Sequence, residues 1–206
     1  MSDNWFTAGG IVAIPLFIFS LIAIALILER LIFWSRVNNQ QHAIVQKVLE
    51  IYPGDPPRAV QLLRENTTLP IARIFLEALS RDRSNPEAFR LALETAAQAE
   101  IPLLKRFNTV FETIISVSPL LGLLGTIFGL IRTFSALTIG EVGGSNSGAV
   151  TQGISEALVS TGIGLIVAIV TLLFANMFRG FYLRQFAFIQ ESGGQLELLY
   201  RDRYER

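Results

Sequence analysis

Three long runs without a charged residue constrain this sequence more than any other feature. They cover residues 9–28, 113–131 and 157–178. A helix of roughly 20 residues, rising about 1.5 Å per residue, crosses the ~30 Å hydrocarbon core of a bilayer. Because its apolar residues are gathered into runs of this length, the sequence predicts an all-α integral membrane protein with three transmembrane helices.

Composition agrees with this prediction and excludes several other classes of protein. Charged residues make up 17% of the 206 positions, below the roughly 25% of an average soluble domain. The 17 basic and 17 acidic residues cancel, so nothing favours nucleic acid as a partner. There is no cysteine, and the single histidine, His42, lies in a polar stretch. We therefore expect no metal site and no cofactor. No catalytic residues are predicted, because no nucleophile–base set or phosphate-binding loop is present.

The distribution of basic residues predicts the orientation of the three spans. Segments 29–106 and 179–206 hold eleven and five of the 17 basic residues, whereas segments 1–8 and 139–150 hold none. By the positive-inside rule, the amino terminus lies outside and the two basic segments lie in the cytoplasm. No basic residue precedes the first run, so we expect a retained span rather than a signal peptide.

We expect one domain over residues 1–206, since no repeat or low-complexity segment divides the chain. Trp5 and Trp34 flank the first span, as interfacial aromatic residues do. The predicted parts are the first span at about 9–30, a cytoplasmic helical region at about 31–106, the second span at about 107–137, an outer loop at about 138–149, the third span at about 150–178 and a cytoplasmic tail at 179–206.

Turn signals divide the cytoplasmic region into several helices. The signals are the stretches YPGDPP and SNP, and Ser84 or Asn85 can cap the helix that follows the second one. No strong turn signal comes after residue 86, so the second span is predicted to be the outer half of one long helix that starts in the cytoplasm. The third span is likewise expected to extend into the cytoplasm, until Gly193 and Gly194 weaken or end it. The helices are predicted at 37–52, 57–66, 70–81 and 86–106.

The second and third runs each carry a narrow face of small residues, whereas the first run is bulky and is predicted to be the peripheral or lipid-facing helix. Small residues let helix backbones approach closely in lipid, and a threonine can satisfy its hydroxyl on its own helix. Close packing alone and a polar pathway are therefore both open. At i, i+4, i+7 and i+11, the two faces contain Gly122, Thr126, Gly129 and Thr133, and Ala157, Thr161, Gly164 and Ala168.

Glu156 opens the third run, and Arg132 closes the second. If the third helix begins near residue 153, Glu156 complements the positive end of the helix dipole. If the helix begins near residue 147, Glu156 lies two to three turns inside and needs a polar cavity or a partner. Arg132, at the same outer end in the predicted topology, is a candidate polar partner; its alternative role is to mark the outer interface.

These runs carry a resemblance to a known family. The stretch SPLLGLLGTIFGLIRTF resembles one signature of the MotA/TolQ/ExbB proton-channel family, and GISEALVSTGIGLIVAIVTLLFANMF resembles its final-span signature. The stretch ETAAQAEIPLLKRF resembles the helix that leads into the second span. The resemblance is strongest over about 86–178. Three spans with an external amino terminus resemble the ExbB/TolQ branch, without separating ExbB from TolQ.

The resemblance implies a homopentameric ring in the lipid of a bacterial inner membrane. The second and third spans would line this ring and the first would lie outside. Two copies of a single-span ExbD- or TolR-like partner would lie in the pore, and the partner's transmembrane aspartate would carry the proton. Proton flow would rotate partner and ring against each other and energise a TonB- or TolA-like protein that reaches the outer membrane.

The resemblance also assigns roles to residues of this chain. By motif match, Thr126 and Thr161 would face the partner's aspartate, and Glu156 would lie in the polar region near the outer mouth. The small residues of the pore wall would be Gly122, Gly129, Ala157, Gly164 and Ala168.

Two other functions are open. A non-conducting membrane scaffold would have the same fold without proton transfer, although Thr126, Thr161 and Glu156 argue against it. A small-solute transporter is disfavoured, because three spans without an internal repeat lack the usual architecture of such proteins. Sodium is also open as the coupling ion, while the family branch favours protons.

Overall fold

The computed structural model describes residues 10–80, 85–139 and 147–205, and every regular element in them is helical. Three of the helices are long and apolar enough to cross a membrane, as the three uncharged runs predicted. Trp5, Ser84 and most of the predicted outer loop lie outside the described residues. After a 3-10 turn at Gly10–Val12, the helices are α1 (Ala13–Ile51), α2 (Pro56–Glu65), α3 (Pro70–Ser80), α4 (Pro86–Leu104), α5 (Asn108–Ile139) and α6 (Ser147–Tyr204).

The two turn signals in the sequence start helices as predicted. Asp55 caps α2, where its side chain accepts a hydrogen bond from the backbone N–H of Arg58 at 3.1 Å. Asn85 caps α4 in the same way, accepting from the N–H of Glu87 at 2.9 Å. A proline follows each cap, in the first turn, where its missing N–H has no intrahelical partner to lose.

The prediction of one continuous helix from residue 86 through the second span is wrong. Helix α4 ends at Leu104 and α5 begins at Asn108. Between them, Phe107 has a φ of 70°, a left-handed value that a right-handed helix cannot contain. The backbone N–H of Lys105 bonds the carbonyl of Ile101 at 3.0 Å, so the end of α4 is closed by hydrogen bonds. Pro102, in the last turn of α4, could have kinked a continuous helix, but no strong turn former stands beside it, and local sequence therefore did not reveal the break.

Of the two expectations for Gly193 and Gly194, that they weaken the helix or end it, an end is wrong, because α6 continues through both glycines to Tyr204. A Cβ atom on Gly193 would lie 2.6 Å from Cδ2 of Leu93 in α4. Glycine at this position leaves space for the Leu93 side chain where α4 packs against α6. The helix-propensity cost of a glycine, about 1 kcal/mol, does not end α6 here, although a Cβ atom on Gly194 would meet nothing within 4 Å.

The chain forms two compact units that alternate along the sequence. The first contains the described residues of 1–29 and 107–177. Its core includes Ala23, Ile114 and Val167, one from each long apolar helix, with Phe19 and Ile163 packed against them. The side of α1 away from this core is exposed and apolar, as expected for a lipid-facing helix, and it includes Ile14, Phe17, Ile18, Leu21, Ile24 and Leu28.

The second unit contains the described residues of 30–106 and 178–206. Within it, Arg73 of α3 makes a bidentate ion pair with Glu100 of α4, at 2.7 and 2.6 Å. Phe89 of α4 stacks on Tyr200 near the end of α6, with ring centroids 4.1 Å apart. The amphipathic α3 buries Ile71, Ala72, Ile74, Phe75 and Ala78. A single domain over residues 1–206 stays a prediction.

Candidate functional site

The small-residue faces of α5 and α6 pack against each other within one chain. A Cβ atom on Gly122 would lie 3.0 Å from Cα of Thr161, and one on Gly164 would lie 2.5 Å from the carbonyl oxygen of Ser118. Both obstacles are backbone atoms, which cannot rotate away as a flexible side chain can. The glycines therefore set the distance between the two helices, as expected for helices that associate through close backbone contact.

The residues predicted to form a pore wall are accordingly buried within the chain. Gly129 faces the carbonyl oxygen of Gly153, which a Cβ atom on Gly129 would approach to 2.7 Å. Close packing, one of the two readings that the sequence left open, is what the structure shows for these glycines. A role in a pore stays a prediction. The predicted wall residues, all buried, are Gly122, Gly129, Ala157, Gly164 and Ala168.

Hydroxyl groups line this helix contact, and they bond to backbone carbonyls. The Thr161 hydroxyl donates across the contact to the carbonyl of Gly122, at 3.1 Å. The Thr126 hydroxyl donates within α5 to the carbonyl of Leu123, at 2.6 Å. Each threonine is partly exposed. Each hydroxyl has only one proton, which is already used in the bond to the carbonyl. In this arrangement the two hydroxyls can therefore offer a further partner only an oxygen lone pair.

Ser160 is a member of this site that the sequence analysis missed. Its side chain is fully buried, and its hydroxyl lies 2.9 Å from the carbonyl of Ala157 and 3.3 Å from that of Gly122. Gly125 leaves the space for it, because a Cβ atom on Gly125 would overlap the Ser160 side chain. The available signal was spacing: Gly125 lies three residues after Gly122, as Ser160 lies three after Ala157, so each extends its helix face.

Glu156 and Arg132 form an ion pair. Nη1 of Arg132 donates to Oε2 of Glu156 at 2.9 Å. Helix α6 begins at Ser147, so Glu156 lies between two and three turns inside and not at the helix terminus. Its side chain is 12% exposed, whereas that of Arg132 is 60% exposed. The Arg132 guanidinium therefore pairs with a carboxylate that is largely shielded from solvent, next to a small recess lined by Ile11, Val12, Gly125, Phe128 and Gly129.

Ser118 adds a further polar group to the same contact. Its hydroxyl is buried and has no hydrogen-bond partner among the described residues. Thr133 and Thr171 instead bond the carbonyls of Gly129 and Val167 on their own helices, at 2.9 and 2.7 Å. In the described chain no cluster of three or more potential ligands could hold a metal ion. The site thus combines one ion pair with several hydroxyls, and no carboxylate lies in the middle of the three apolar runs.

Sequence comparison relates this arrangement to known proteins. The model of the MotA/TolQ/ExbB proton channel family matches residues 66–191, more than half of the chain. A Synechocystis protein named biopolymer transport protein ExbB-like 3 is 62% identical over 194 residues, which cover 94% of this chain and 92% of that protein. A second Synechocystis protein, ExbB-like 1, is 40% identical over 96% of this chain and 78% of its own length.

A more distant relative covers less of the chain. The Tol-Pal system protein TolQ of Haemophilus influenzae is 36% identical over 85 residues, 41% of this chain and 36% of that protein. The family match and the long ExbB-like alignments, together with three apolar helices, identify a multi-pass membrane protein related to transport-associated proteins. The chain therefore belongs to the MotA/TolQ/ExbB proton channel family.

Proposed function

We propose that the chain is the ring subunit of a proton-driven motor in a bacterial inner membrane. Five copies would surround two copies of a single-span partner of the ExbD or TolR type. Proton flow would drive movement of that partner relative to the ring, and the movement would act on a TonB- or TolA-like protein for outer-membrane transport or integrity. The amino terminus would lie in the periplasm and the carboxyl terminus in the cytoplasm, in agreement with the distribution of basic residues.

The observation that carries this proposal is the ion pair between Arg132 and Glu156. Charged groups in transmembrane helices are costly, and they usually mark a pathway for ions or a functional contact. Glu156 lies inside α6, shielded from solvent, with its charge balanced by a residue of the neighbouring helix. At about 1.5 Å per residue, Thr161 lies roughly 7.5 Å further along the same helix. The ion pair and the threonines thus place polar groups at two levels of two otherwise apolar helices.

The directions of the hydroxyl bonds indicate how the two threonines would treat a carboxyl group of the partner. Thr126 and Thr161 give their protons to the carbonyls of Leu123 and Gly122, so their oxygens are free to accept. A protonated carboxylic acid can donate to such an oxygen, whereas an ionised carboxylate cannot. The two threonines would therefore favour the partner's acid in its neutral, proton-carrying form.

A partner is needed because this chain has no carboxylate in the middle of its apolar runs. Hydroxyls can relay or orient a proton, but a titrating acid is the usual carrier in proton pumps. We therefore expect purified protein in liposomes to conduct protons poorly alone and to conduct them when a single-span partner with an intramembrane aspartate is added. The measurement is the proton flux after a pH jump, followed with an encapsulated pH-sensitive dye. Equal flux with and without the partner would contradict the proposal.

Replacement of Thr161 by valine tests the residue assignment. Thr161→Val keeps the size of the side chain and removes the hydroxyl, so partner-dependent flux is expected to fall at least tenfold while the oligomer stays intact. The factor corresponds to the loss of a hydrogen bond worth about 1.5 kcal/mol in the rate-limiting state. The control is Thr113→Val, which removes an exposed hydroxyl that bonds its own helix. Native mass spectrometry verifies the oligomer, and equal flux in the two variants would refute the assignment.

A non-conducting scaffold is the second candidate, and one observation favours it. The hydroxyls of Thr126 and Thr161 already satisfy backbone carbonyls within the chain, which is a sufficient structural reason for their presence. A scaffold would show no partner-dependent flux, and Glu156→Gln would leave its complex and its activity unchanged. The motor requires the partner-dependent flux and predicts that Glu156→Gln impairs it, so the same liposome assay separates the two functions.

A further inference from the structure

A cavity of about 490 Å³ lies within the second unit, between residues 31–42 of α1 and residues 181–188 of α6. Its volume falls in the range of roughly 300–1,000 Å³ that is usual for sites of small ligands. It uses none of the residues of the Arg132–Glu156 site. Its wall combines seven polar or charged residues with five apolar or aromatic ones, which are Leu31, Trp34, Val37, Phe181 and Phe188.

Three buried polar atoms of the residues that line this cavity lack a hydrogen-bond partner. They are Nε1 of Trp34, Oε1 of Gln41 and Nε2 of Gln185. The three residues are only 5%, 4% and 3% exposed. Buried polar groups in native proteins are almost always satisfied, by protein, ordered water or ligand. All three atoms are inaccessible to solvent in this arrangement, so their side chains would turn towards an occupant of the cavity to be satisfied by it.

The chemistry of these groups limits what the occupant can be. The indole N–H of Trp34 can only donate a hydrogen bond, whereas the two glutamine amides can present either polarity by rotation. Arg184 and His42 also line the cavity, and none of its described lining residues is acidic. The occupant must therefore supply hydrogen-bond acceptors, and a negative charge on it would complement Arg184.

The place of the cavity along the chain indicates where such an occupant comes from. The membrane-side end of the cavity lies near the ends of the apolar runs, since Leu31 and Phe181 each follow a run by three residues, and the cavity extends from there to His42 and Phe188. Lipid headgroups begin where the apolar part of a transmembrane helix ends, and tryptophan is enriched at that level. Pockets with basic residues between helices on this side of a membrane bind anionic headgroups.

We propose that this cavity binds the headgroup of phosphatidylglycerol. The phosphodiester oxygens accept hydrogen bonds from the Trp34 indole N–H and from Arg184. The glycerol hydroxyls, which both donate and accept, satisfy the amides of Gln41 and Gln185. A choline headgroup has no hydrogen-bond donor for the amides, and the ammonium of an ethanolamine headgroup is repelled by Arg184. The proposal is independent of the proposed motor function.

The test uses the full-length protein in nanodiscs that contain equal amounts of phosphatidylglycerol, phosphatidylethanolamine and phosphatidylcholine. After extraction into mild detergent, mass spectrometry measures the lipid retained per protein. Phosphatidylglycerol is expected to be enriched. Trp34→Phe keeps the aromatic ring and removes the N–H, and Arg184→Gln removes the charge. Each is expected to lower retention about tenfold, which corresponds to one hydrogen bond to a charged group.

Arg179→Gln is the matched control, because Arg179 is an exposed arginine on the same helix that does not line the cavity. It is expected to leave retention unchanged. Equal loss in Arg179→Gln and Arg184→Gln would overturn the proposal in favour of general attraction between lipid and basic residues. No enrichment in the wild-type protein would also overturn it and would assign the three polar atoms to water. Circular dichroism verifies that each variant is folded.

A second measurement separates a lipid from a soluble anion. Lipid-depleted protein with Trp5→Phe, which leaves Trp34 as the single tryptophan, is titrated with glycerol 3-phosphate and with dihexanoyl phosphatidylglycerol. The Trp34 fluorescence reports occupancy. The lipid is expected to bind at least tenfold more tightly, because its chains bury apolar area beside the cavity. Equal affinity for glycerol 3-phosphate would overturn the assignment to a lipid.

Discussion

Gly164→Ala tests the conclusion that the glycines of α5 and α6 set the distance between these helices. The added Cβ atom would lie 2.5 Å from the carbonyl oxygen of Ser118 and 3.2 Å from Cα of Gly122. Both are backbone atoms, so the methyl group can be accommodated only if the helices separate. Separation would also lengthen the hydrogen bond from Thr161 to Gly122, which is 3.1 Å long.

The expected cost follows from two opposing terms. Overpacking a close contact costs about 1–3 kcal/mol, whereas alanine improves helix propensity over glycine by up to about 1 kcal/mol. Because a 2.5 Å approach to a backbone oxygen is a severe overlap, the overpacking term lies at about 2–3 kcal/mol, and the net destabilisation is about 1–2 kcal/mol, a factor of roughly 5–30 in the unfolding equilibrium. The control is Gly162→Ala on the same helix, where a Cβ atom would meet nothing within 4 Å. Only the propensity term applies there, so stability should be unchanged or slightly higher.

The assay is unfolding of the purified protein in mixed micelles, with helix content followed by circular dichroism as the fraction of sodium dodecyl sulfate rises. Protein concentration is kept constant, because the stability of an oligomer depends on it. Gly164→Ala is expected to unfold at a lower detergent fraction than both the wild-type protein and Gly162→Ala. If the two variants unfold together, the contact between α5 and α6 does not limit stability, and the packing argument fails.

Two further predictions concern the second unit. Glu100→Gln leaves Arg73 without its charged bidentate partner and is expected to cost about 1–3 kcal/mol in unfolding free energy. The control Glu94→Gln, which removes one partner of an exposed ion pair, should cost less than about 0.5 kcal/mol. Equal costs of the two substitutions in the micelle assay would refute this prediction. Burial raises the pKa of Tyr52 above its ordinary value of 10.0, an effect to which Tyr200 adds and which Arg203 opposes. The folded state thus favours the protonated phenol, so the contribution of Tyr52 to stability is complete below pH 10 and is lost as the pH rises above it. Across that pH range, the detergent fraction at the unfolding midpoint should fall more steeply for the wild-type protein than for Tyr52→Phe. Parallel curves for the two proteins would contradict the assignment.

Local sequence was sufficient for elements whose cause is local. Hydropathy located the three apolar helices because an uncharged run of this length has few stable alternatives to a transmembrane helix. The cap at Asn85 was one of the two that the sequence allowed, because a capping side chain bonds the backbone two or three residues away, as Asp55 also does. The interruption at Phe107 was not predictable, since it depends on a left-handed residue that is neither glycine nor asparagine.

Contacts between distant segments explain the other differences. Glycine in a helix interior suggests a weak point when only propensity is considered, yet α6 continues through Gly193, which leaves room for the side chain of Leu93 from another helix, 100 residues earlier in the chain. Whether Glu156 lies at the end of α6 or inside it depended similarly on the residue at which α6 begins. Once that start is at Ser147, the carboxylate lies inside the helix, and a partner on α5 becomes necessary.

The sequence by itself determined the helical class, the number of apolar helices and the small faces of α5 and α6, because each follows from residue type at a fixed helical period. Only the tertiary structure decided that those faces meet each other within one chain and that Ser160 is fully buried while Thr161 is partly exposed. Neighbouring residues point about 100° apart around a helix, so the crossing of two helices selects one of them for burial. That crossing depends on contacts between residues nearly 40 positions apart, such as the hydrogen bonds from Ser160 and Thr161 to the carbonyl of Gly122, which no local pattern records.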